Sequence, residues 1–283
     1  MNQSAVKRAL ALLEHLAGRP AGQGVTVLAD ELALPKSIAH RLLGVLAETG
    51  YVRQDAETGR YALTLKLTTL GLRHYVRTGL DDLAQPLLDR LAAETGELAR
   101  LAVVDGERLV WVAKAQGAPS GLRYDPDIDH DTGHDVVLHA TATGKAWLAT
   151  LPDPEALRIV EATGLRTPAR FGANVARTLP QFRRLLAQTR DAGHGEAIEE
   201  GEPGTAAVAV AVRETPRGAA VATLSLAGPV VRFGPERRAA LAARLRAAAD
   251  ELGAIWPLRA RLGGRPSIPN GEIRHERDHS AAL

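Results

Sequence analysis

The chain has 283 residues, of which 45% are hydrophobic and 24% charged, a composition typical of a globular protein with room for two domain cores. No apolar run approaches the roughly 18 residues of a membrane-spanning helix, and the first residues lack the apolar segment of a signal peptide. The absence of cysteine excludes disulfides, thiolate metal sites and cysteine nucleophiles, and it favours a cytoplasmic protein.

The net charge of +2 is unevenly distributed along the chain. Residues 1–80 carry ten lysines and arginines against six acidic residues, whereas the remainder carries 25 against 27. A basic first third favours a polyanionic partner, such as DNA, for that part of the chain.

Apolar positions at helical spacing predict three helices in the first third, over residues 6–17, 27–33 and 36–49. Thr26 is predicted to cap the second helix, and Pro35 suits the first turn of the third. Residues 51–63 then predict two short strands around a polar turn. Three helices followed by a hairpin are typical of a winged helix-turn-helix. A further helical stretch over residues 66–78 follows.

The rest of the chain contains both apolar residues at helical spacing and the alternating pattern of strands. Helices are predicted over residues 80–94, 140–150, 153–162, 179–192 and 236–255. Strands are predicted over residues 97–104, 108–114, 205–212 and 219–226. Helices and strands in separate runs favour an α+β sheet domain over a Rossmann fold.

The candidate DNA-reading residues lie at the start of the third predicted helix. A recognition helix meets base edges with its first turns while its apolar face packs on the domain. Those turns carry Lys36, Ser37, His40 and Arg41, which supply charge and hydrogen bonds for phosphates or bases. On the hairpin, Thr58 and Arg60 suit phosphate or minor-groove contacts. A helical hairpin with an ordinary solvated face is the alternative.

Seven stretches, in order across about residues 5–256, resemble the IclR family of transcription regulators: Val6–Leu13, Leu34–Leu43, Gly50–Val52, Thr58–Leu63, Leu138–Ala146, Glu202–Gly204 and Leu224–Pro229. The resemblance implies an α+β two-domain protein without a cofactor. With it, we divide the chain into a winged helix-turn-helix domain (1–65), a linker helix (66–80) and a GAF-like α/β effector-binding domain (81–257). The remainder (258–283) is rich in glycine, proline and arginine without periodicity, which predicts a disordered tail. The resemblance also implies a homodimer or dimer of dimers that binds a palindromic operator, usually as a repressor, and responds to a small-molecule effector.

The same resemblance places seven residues near the effector pocket: Trp111, Leu122, Tyr124, Ala140, Thr141, Ala207 and Ser225. The chain departs from the family pattern here. The family commonly has cysteine at Ala207, serine at Ala227 and acidic residues at Ala197 and Ile198. Each change removes a polar group, which predicts a more apolar or larger ligand, such as an aromatic acid or derivative. Simple core packing by these residues, or a vestigial pocket, are the alternatives.

Three further motifs suggest other chemistry. Residues 125–135 hold five aspartates and two histidines, which suit a divalent metal but match no defined motif, so a solvated acidic loop is favoured. His275–His279 matches a metalloprotease pattern in a polar tail, where it is interpreted as coincidence. Thr143–Ala146 resembles the end of a phosphate-binding loop but lacks its first glycine and its final hydroxyl residue. No metal site is predicted.

An enzyme built on the C-terminal domain is the rival interpretation. Its candidates are His139, Lys145 and the 125–135 loop. No nucleophile, base and orienting group are visible together, so the sequence predicts a regulator and not an enzyme.

Overall fold

The computed structural model describes residues 4–126, 132–165 and 171–256, except for the side chain of Asp81. The chain divides into two compact units after Gly79. The predicted α+β class, with a helix-turn-helix unit followed by an α/β unit, is confirmed.

The described part of the first unit, residues 4–79, contains four helices and a hairpin. The helices are α1 (Ala5–Ala17), α2 (Val25–Glu31), α3 (Lys36–Glu48) and α4 (Leu65–Thr78), and the hairpin pairs β1 (Val52–Gln54) with β2 (Tyr61–Leu63). α1, α2, α3 and the hairpin share one core, in which Leu12, Leu28 and Leu43 are fully buried. The apolar spacing gives part of the inward faces: Leu13, Leu16, Leu42 and Leu46 are buried, whereas Val6, Leu10 and Val45 are exposed.

The second helix begins earlier than predicted. Gly24 is its N-cap, with the extended backbone expected at that position, and Thr26 lies inside the helix. α4 is longer by one residue at its start, because the Thr64 side chain accepts a hydrogen bond from the Lys66 amide. It ends at Gly79, whose left-handed backbone (φ +70°) glycine adopts without strain.

The second unit is built on a five-stranded antiparallel sheet in the order β4-β3-β7-β6-β5. Its strands are β3 (Leu98–Asp105), β4 (Arg108–Gln116), β5 (Gly195–Ile198), β6 (Thr205–Arg213) and β7 (Ala220–Pro229). The short edge strand β5 was not predicted. Its four residues give too weak a period to recognise, and pairing with β6 defines it.

The described residues of this unit also form five α-helices, α5 (Leu80–Thr95), α6 (Ala142–Leu148), α7 (Asp153–Thr163), α8 (Leu179–Ala192) and α9 (Pro235–Ala254), and a short 3-10 helix (Val230–Arg232). α5 contacts β3 and β4, and α9 contacts β6 and β7, whereas α6 packs on β5, β6 and β7. α6 is shorter than predicted because Thr141 is its N-cap and accepts a hydrogen bond from the Gly144 amide.

Two sequence-based predictions lie outside the described residues. They are the tail from residue 258 onward, with the His275–His279 motif, and the centre of the acidic loop, residues 127–131. The described ends of that loop form ion pairs with arginines, Asp125 with Arg123 at 2.7 Å and Asp135 with Arg108 at 3.5 Å. Within the described ranges, no helix is both long and apolar enough to cross a membrane.

Candidate DNA-binding face and ligand pocket

The predicted DNA-reading residues of α3 lie on one face of the helix. Lys36, Ser37, His40 and Arg41 are all exposed. The opposite face is anchored in the core by its buried residues, Ala39, Leu42, Leu43 and Leu46. Since the apolar face is occupied, the polar face is the part of α3 that is available to a groove of DNA.

The hairpin turn is stabilised by Asp55 and Thr58. The Asp55 carboxylate accepts hydrogen bonds from the Thr58 amide at 2.8 Å and from the Thr58 hydroxyl at 2.7 Å. These bonds hold the pKa of Asp55 below its usual value, with the Thr58 amide as the first cause. Thr58 therefore has a structural function in the turn, whereas Arg60 is exposed on the hairpin and suits a phosphate contact.

A cavity in the second unit is lined by six of the seven predicted effector residues: Trp111, Tyr124, Ala140, Thr141, Ala207 and Ser225. Leu122 does not line it. Its side chain is 66% exposed, and its carbonyl accepts a hydrogen bond from Arg232 Nη1 at 2.7 Å. Arg232 in turn pairs with the buried Glu97. Leu122 is thus the one predicted effector residue outside the described lining of the cavity.

The floor of this cavity is a patch of the sheet fixed by strand register. Arg100 of β3 pairs with Ser225 of β7, and two positions further along β7 Ala227 pairs with Ala207 of β6. Ala207 pairs in turn with Ala197 of β5. Residues paired across strands point to the same face of the sheet. The floor therefore consists mainly of alanine side chains, with Arg100 and Ser225 at the end nearest β3.

The walls come from the start of α6, from Tyr124 and Phe171, and from a loop at Gly201–Glu202. The cavity encloses about 60 Å³, less than half of the roughly 150 Å³ of an engineered cavity that admits benzene. In this form it holds a few heavy atoms. An aromatic ring does not fit into this volume without a change in the lining.

A buried ion pair ties the loop to α6. Lys145 Nζ lies 2.6 and 2.7 Å from the two Glu200 oxygens, and both side chains are buried. Burial lowers the pKa of the Lys145 ammonium and raises that of the Glu200 carboxyl, and their mutual attraction opposes both shifts. Among the described residues, no group of three or more metal-ligating side chains surrounds the pair. Its geometry favours a structural function over the catalytic one considered from the sequence.

The sequence-based reasoning missed Arg100, Phe171 and Glu202 as lining residues. For Arg100 a signal exists. It is a lone charge inside the apolar run Leu98–Val104, and arginine is rarely buried in a sheet without a specific partner or ligand. Phe171 and Glu202 lie on loops, whose positions cannot be predicted from the spacing of apolar residues.

A second cavity of about 330 Å³ lies between α6, α8, α9 and the end of β6. Its arginines make protein contacts. Arg190 pairs with Asp153, and Arg246 donates to the Ala192 carbonyl at 3.0 Å. Of the effector residues predicted from sequence, the described lining of this cavity contains none.

Comparison with known proteins identifies the chain. Two family models match: the IclR helix-turn-helix domain over residues 5–56 and the C-terminal domain of the bacterial transcriptional regulator IclR over residues 73–254. The chain belongs to the IclR family. As a member of that family, it is a DNA-binding transcription regulator.

Individual IclR-family proteins cover most of the chain. The regulator KdgR of Escherichia coli is 31% identical over 252 residues, spanning 89% of this chain and 92% of the relative. The repressor AllR of Klebsiella pneumoniae is 30% identical over 233 residues, spanning 82% of each. A crystal structure of an IclR homolog from Microbacterium hydrocarbonoxydans, in complex with 4-hydroxybenzoate, matches with a TM-score of 0.70 at 25% identity, covering 91% of this chain and 100% of the homolog.

Proposed function

We propose that this protein is a ligand-responsive repressor that binds a palindromic operator in the cytoplasm and senses a small organic acid or aromatic derivative. The observation that carries the proposal is the exposed polar face of α3, Lys36, Ser37, His40 and Arg41, on a helix whose other face is fixed in the core. Arg60 on the hairpin supplements it with a phosphate contact, and Thr58 shapes the turn.

Exposed apolar side chains on two helices support self-association, and a self-associated protein would fit a palindromic operator. α1 and α4 expose large apolar side chains, among them Val6 (68%), Leu65 (78%) and Val76 (63%). Apolar side chains exposed in groups on a helix are typical of an interaction surface. A homodimer or dimer of dimers presents two α3 helices, which matches two half-sites about one helical turn apart.

Sensing is assigned to the cavity above the alanine floor. Trp111, Tyr124, Ala140, Thr141, Ala207 and Ser225 combine an apolar lining with a few polar groups, as is typical of small-molecule sites. The 4-hydroxybenzoate held by one family member supports an acid as the effector class. The ligand shifts DNA binding only by its different affinity for the free and DNA-bound forms.

The test is fluorescence anisotropy on DNA sites selected from a random-sequence library, at two salt concentrations, with and without a panel of small aliphatic and aromatic acids. Wild type is compared with Lys36→Ala/Arg41→Ala. The control Arg184→Ala/Arg217→Ala removes the same charge from exposed positions of the second unit. We expect the α3 variant to lose about tenfold or more in affinity and to show a shallower salt dependence.

Binding at two chains per site, release by one acid and an unaffected control support the proposal. Retention of full affinity by the α3 variant contradicts the DNA-reading face. DNA binding that no ligand shifts favours a regulator with a vestigial pocket, and turnover of a small acid or ester without DNA favours the enzyme interpretation.

A further inference from the structure

We infer that Lys66 is a positioning residue for DNA recognition, because it joins the start of α4 to the end of α3 and thereby fixes the helix that reads DNA. The inference rests on α3 as the DNA-reading helix of the proposed function. Lys66 lies outside the residues predicted to bind DNA, and it acts through α3 instead of touching a base.

Three successive carbonyls after α3 are bound by the first residues of α4. The Thr49 carbonyl accepts a hydrogen bond from Lys66 Nζ at 2.6 Å. The Gly50 carbonyl accepts one from the Thr64 hydroxyl at 2.6 Å, and the Tyr51 carbonyl accepts one from the Thr64 amide at 2.9 Å. Since the Thr64 hydroxyl also caps α4 by accepting from the Lys66 amide, the same two residues begin α4 and hold the end of α3.

The Lys66 ammonium is held at this junction by two further interactions. It lies 4.7 Å from the centre of the Tyr51 ring, whose face attracts a cation. It also meets the carbonyl end of α3, where the partial negative charge of the helix favours a cation. At about 1.5 Å per residue, this end lies about 20 Å along α3 from Lys36. The ammonium is therefore engaged far from the turns of α3 that are predicted to meet base edges.

This junction matters because the core holds only part of α3. The last buried side chain of the helix is that of Leu46, and the residues from Thr49 onward are bound by α4. Hydrogen bonds to base edges weaken steeply when they are misaligned, whereas attraction to phosphates tolerates a displaced helix. Loss of the Lys66 contact should therefore lower the affinity for a specific site more than the affinity for nonspecific DNA.

The experiment is fluorescence anisotropy of the full chain on a selected DNA site and on a scrambled duplex of the same length, over a series of salt concentrations. We compare wild type with Lys66→Met, which keeps the stem and removes the ammonium, and with Lys66→Arg, which restores a cation able to donate to the Thr49 carbonyl. Arg73→Met is the matched control, because it removes the same charge from an exposed position on the same helix. Lys36→Ala/Arg41→Ala is the reference for direct reading by α3.

We expect Lys66→Met to bind the selected site about fivefold to tenfold more weakly than wild type. On the scrambled duplex it should bind no more weakly than Arg73→Met. Its salt dependence should also equal that of Arg73→Met, whereas loss of a direct phosphate contact would lower the slope of log K against log salt concentration by about 0.9. Lys66→Arg should restore most of the preference for the selected site. A variant that is merely misfolded loses both duplexes together, and circular dichroism checks the fold independently.

The inference is overturned if Lys66→Met keeps the full preference for the selected site, or if Lys66→Arg does not restore a lost one. A parallel loss on both duplexes with a shallower slope also overturns it, because Lys66, whose side chain is exposed, would then contact a phosphate directly. In each case, loss of the preference in Lys36→Ala/Arg41→Ala leaves α3 as the reading helix. Full affinity in that reference variant refutes the proposed DNA-reading face itself.

Discussion

Lys145 and Glu200 form an ion pair whose two side chains are only 2% and 7% exposed. Taking two charges out of water costs several kcal/mol per ion, and the attraction between them repays this only when the geometry is good. Here both Glu200 oxygens lie within 2.7 Å of Lys145 Nζ, so the pair is well made. Its contribution is specificity of structure, because it fixes the loop that carries Gly201 and Glu202 to α6.

We predict that Lys145→Met destabilises the protein by about 3–5 kcal/mol at neutral pH, because Glu200 is left buried without its counter-charge. The double variant Lys145→Met/Glu200→Leu should recover most of that loss. Since burial raises the pKa of Glu200, the carboxyl in the single variant takes up a proton more readily in the folded state. The penalty should therefore shrink as the pH falls and grow as it rises through the folded-state pKa.

Urea unfolding at pH 5 and pH 8 measures these differences. Additive losses in the double variant would show that the two residues do not act as a pair. A penalty independent of pH would show that the Glu200 carboxyl is not the group responsible.

Helix α6 depends on a close approach between its first turn and the preceding chain. A Cβ added to Gly144 would lie 2.2 Å from the Leu138 carbonyl oxygen and 2.4 Å from the Leu138 Cα, which are backbone atoms unable to rotate away. Only glycine permits the start of α6 to reach the position from which Thr141 and Thr143 line the pocket.

We therefore predict that Gly144→Ala destabilises the protein by about 1–3 kcal/mol through overpacking and weakens ligand binding. Gly71→Ala in α4 is the matched control, because nothing lies within 4 Å of its added Cβ. In an exposed helix interior that change should stabilise by about 0.5–1 kcal/mol.

Chemical denaturation of both variants separates the two effects. Equal and small changes in the free energy of unfolding of the two variants would mean that the chain around Leu138 relaxes freely. The close contact between Gly144 and Leu138 would then not determine where α6 begins.

At the scale of the whole molecule, the two units have separate cores. The first is centred on Leu12, Leu28 and Leu43, and the second contains Trp111, Trp147 and Phe182 on the α6 side of its sheet. Because all predicted ligand residues belong to the second unit, a ligand should stabilise that unit selectively.

We predict two calorimetric unfolding transitions. A bound acid should raise the midpoint temperature of only one of them, that of the second unit. At a ligand concentration of 100 times the Kd, the stabilisation is about 2.7 kcal/mol, which shifts a transition by several degrees. A chain that ends at Gly79 should show the unshifted transition alone. A single transition that moves as a whole with ligand would contradict independent units.

The sequence by itself determined the fold class, the polar face of α3 and the family, because these depend on local periodicity and on motifs in a fixed order. It also indicated that polar groups had been lost at Ala197, Ala207 and Ala227, which all line the cavity. It did not show that Leu122 lies outside the described lining of the cavity, and it did not select Arg100.

Those two assignments required the tertiary structure. Whether Arg100 faces the pocket depends on the register between β3 and β7, and a slip of one residue would turn it to the other face of the sheet. Leu122, whose carbonyl accepts a hydrogen bond from Arg232, 110 positions along the chain, lies outside the described lining of the pocket. Contacts between residues so far apart in sequence leave no local period, so only the folded chain decides which side chains meet the ligand.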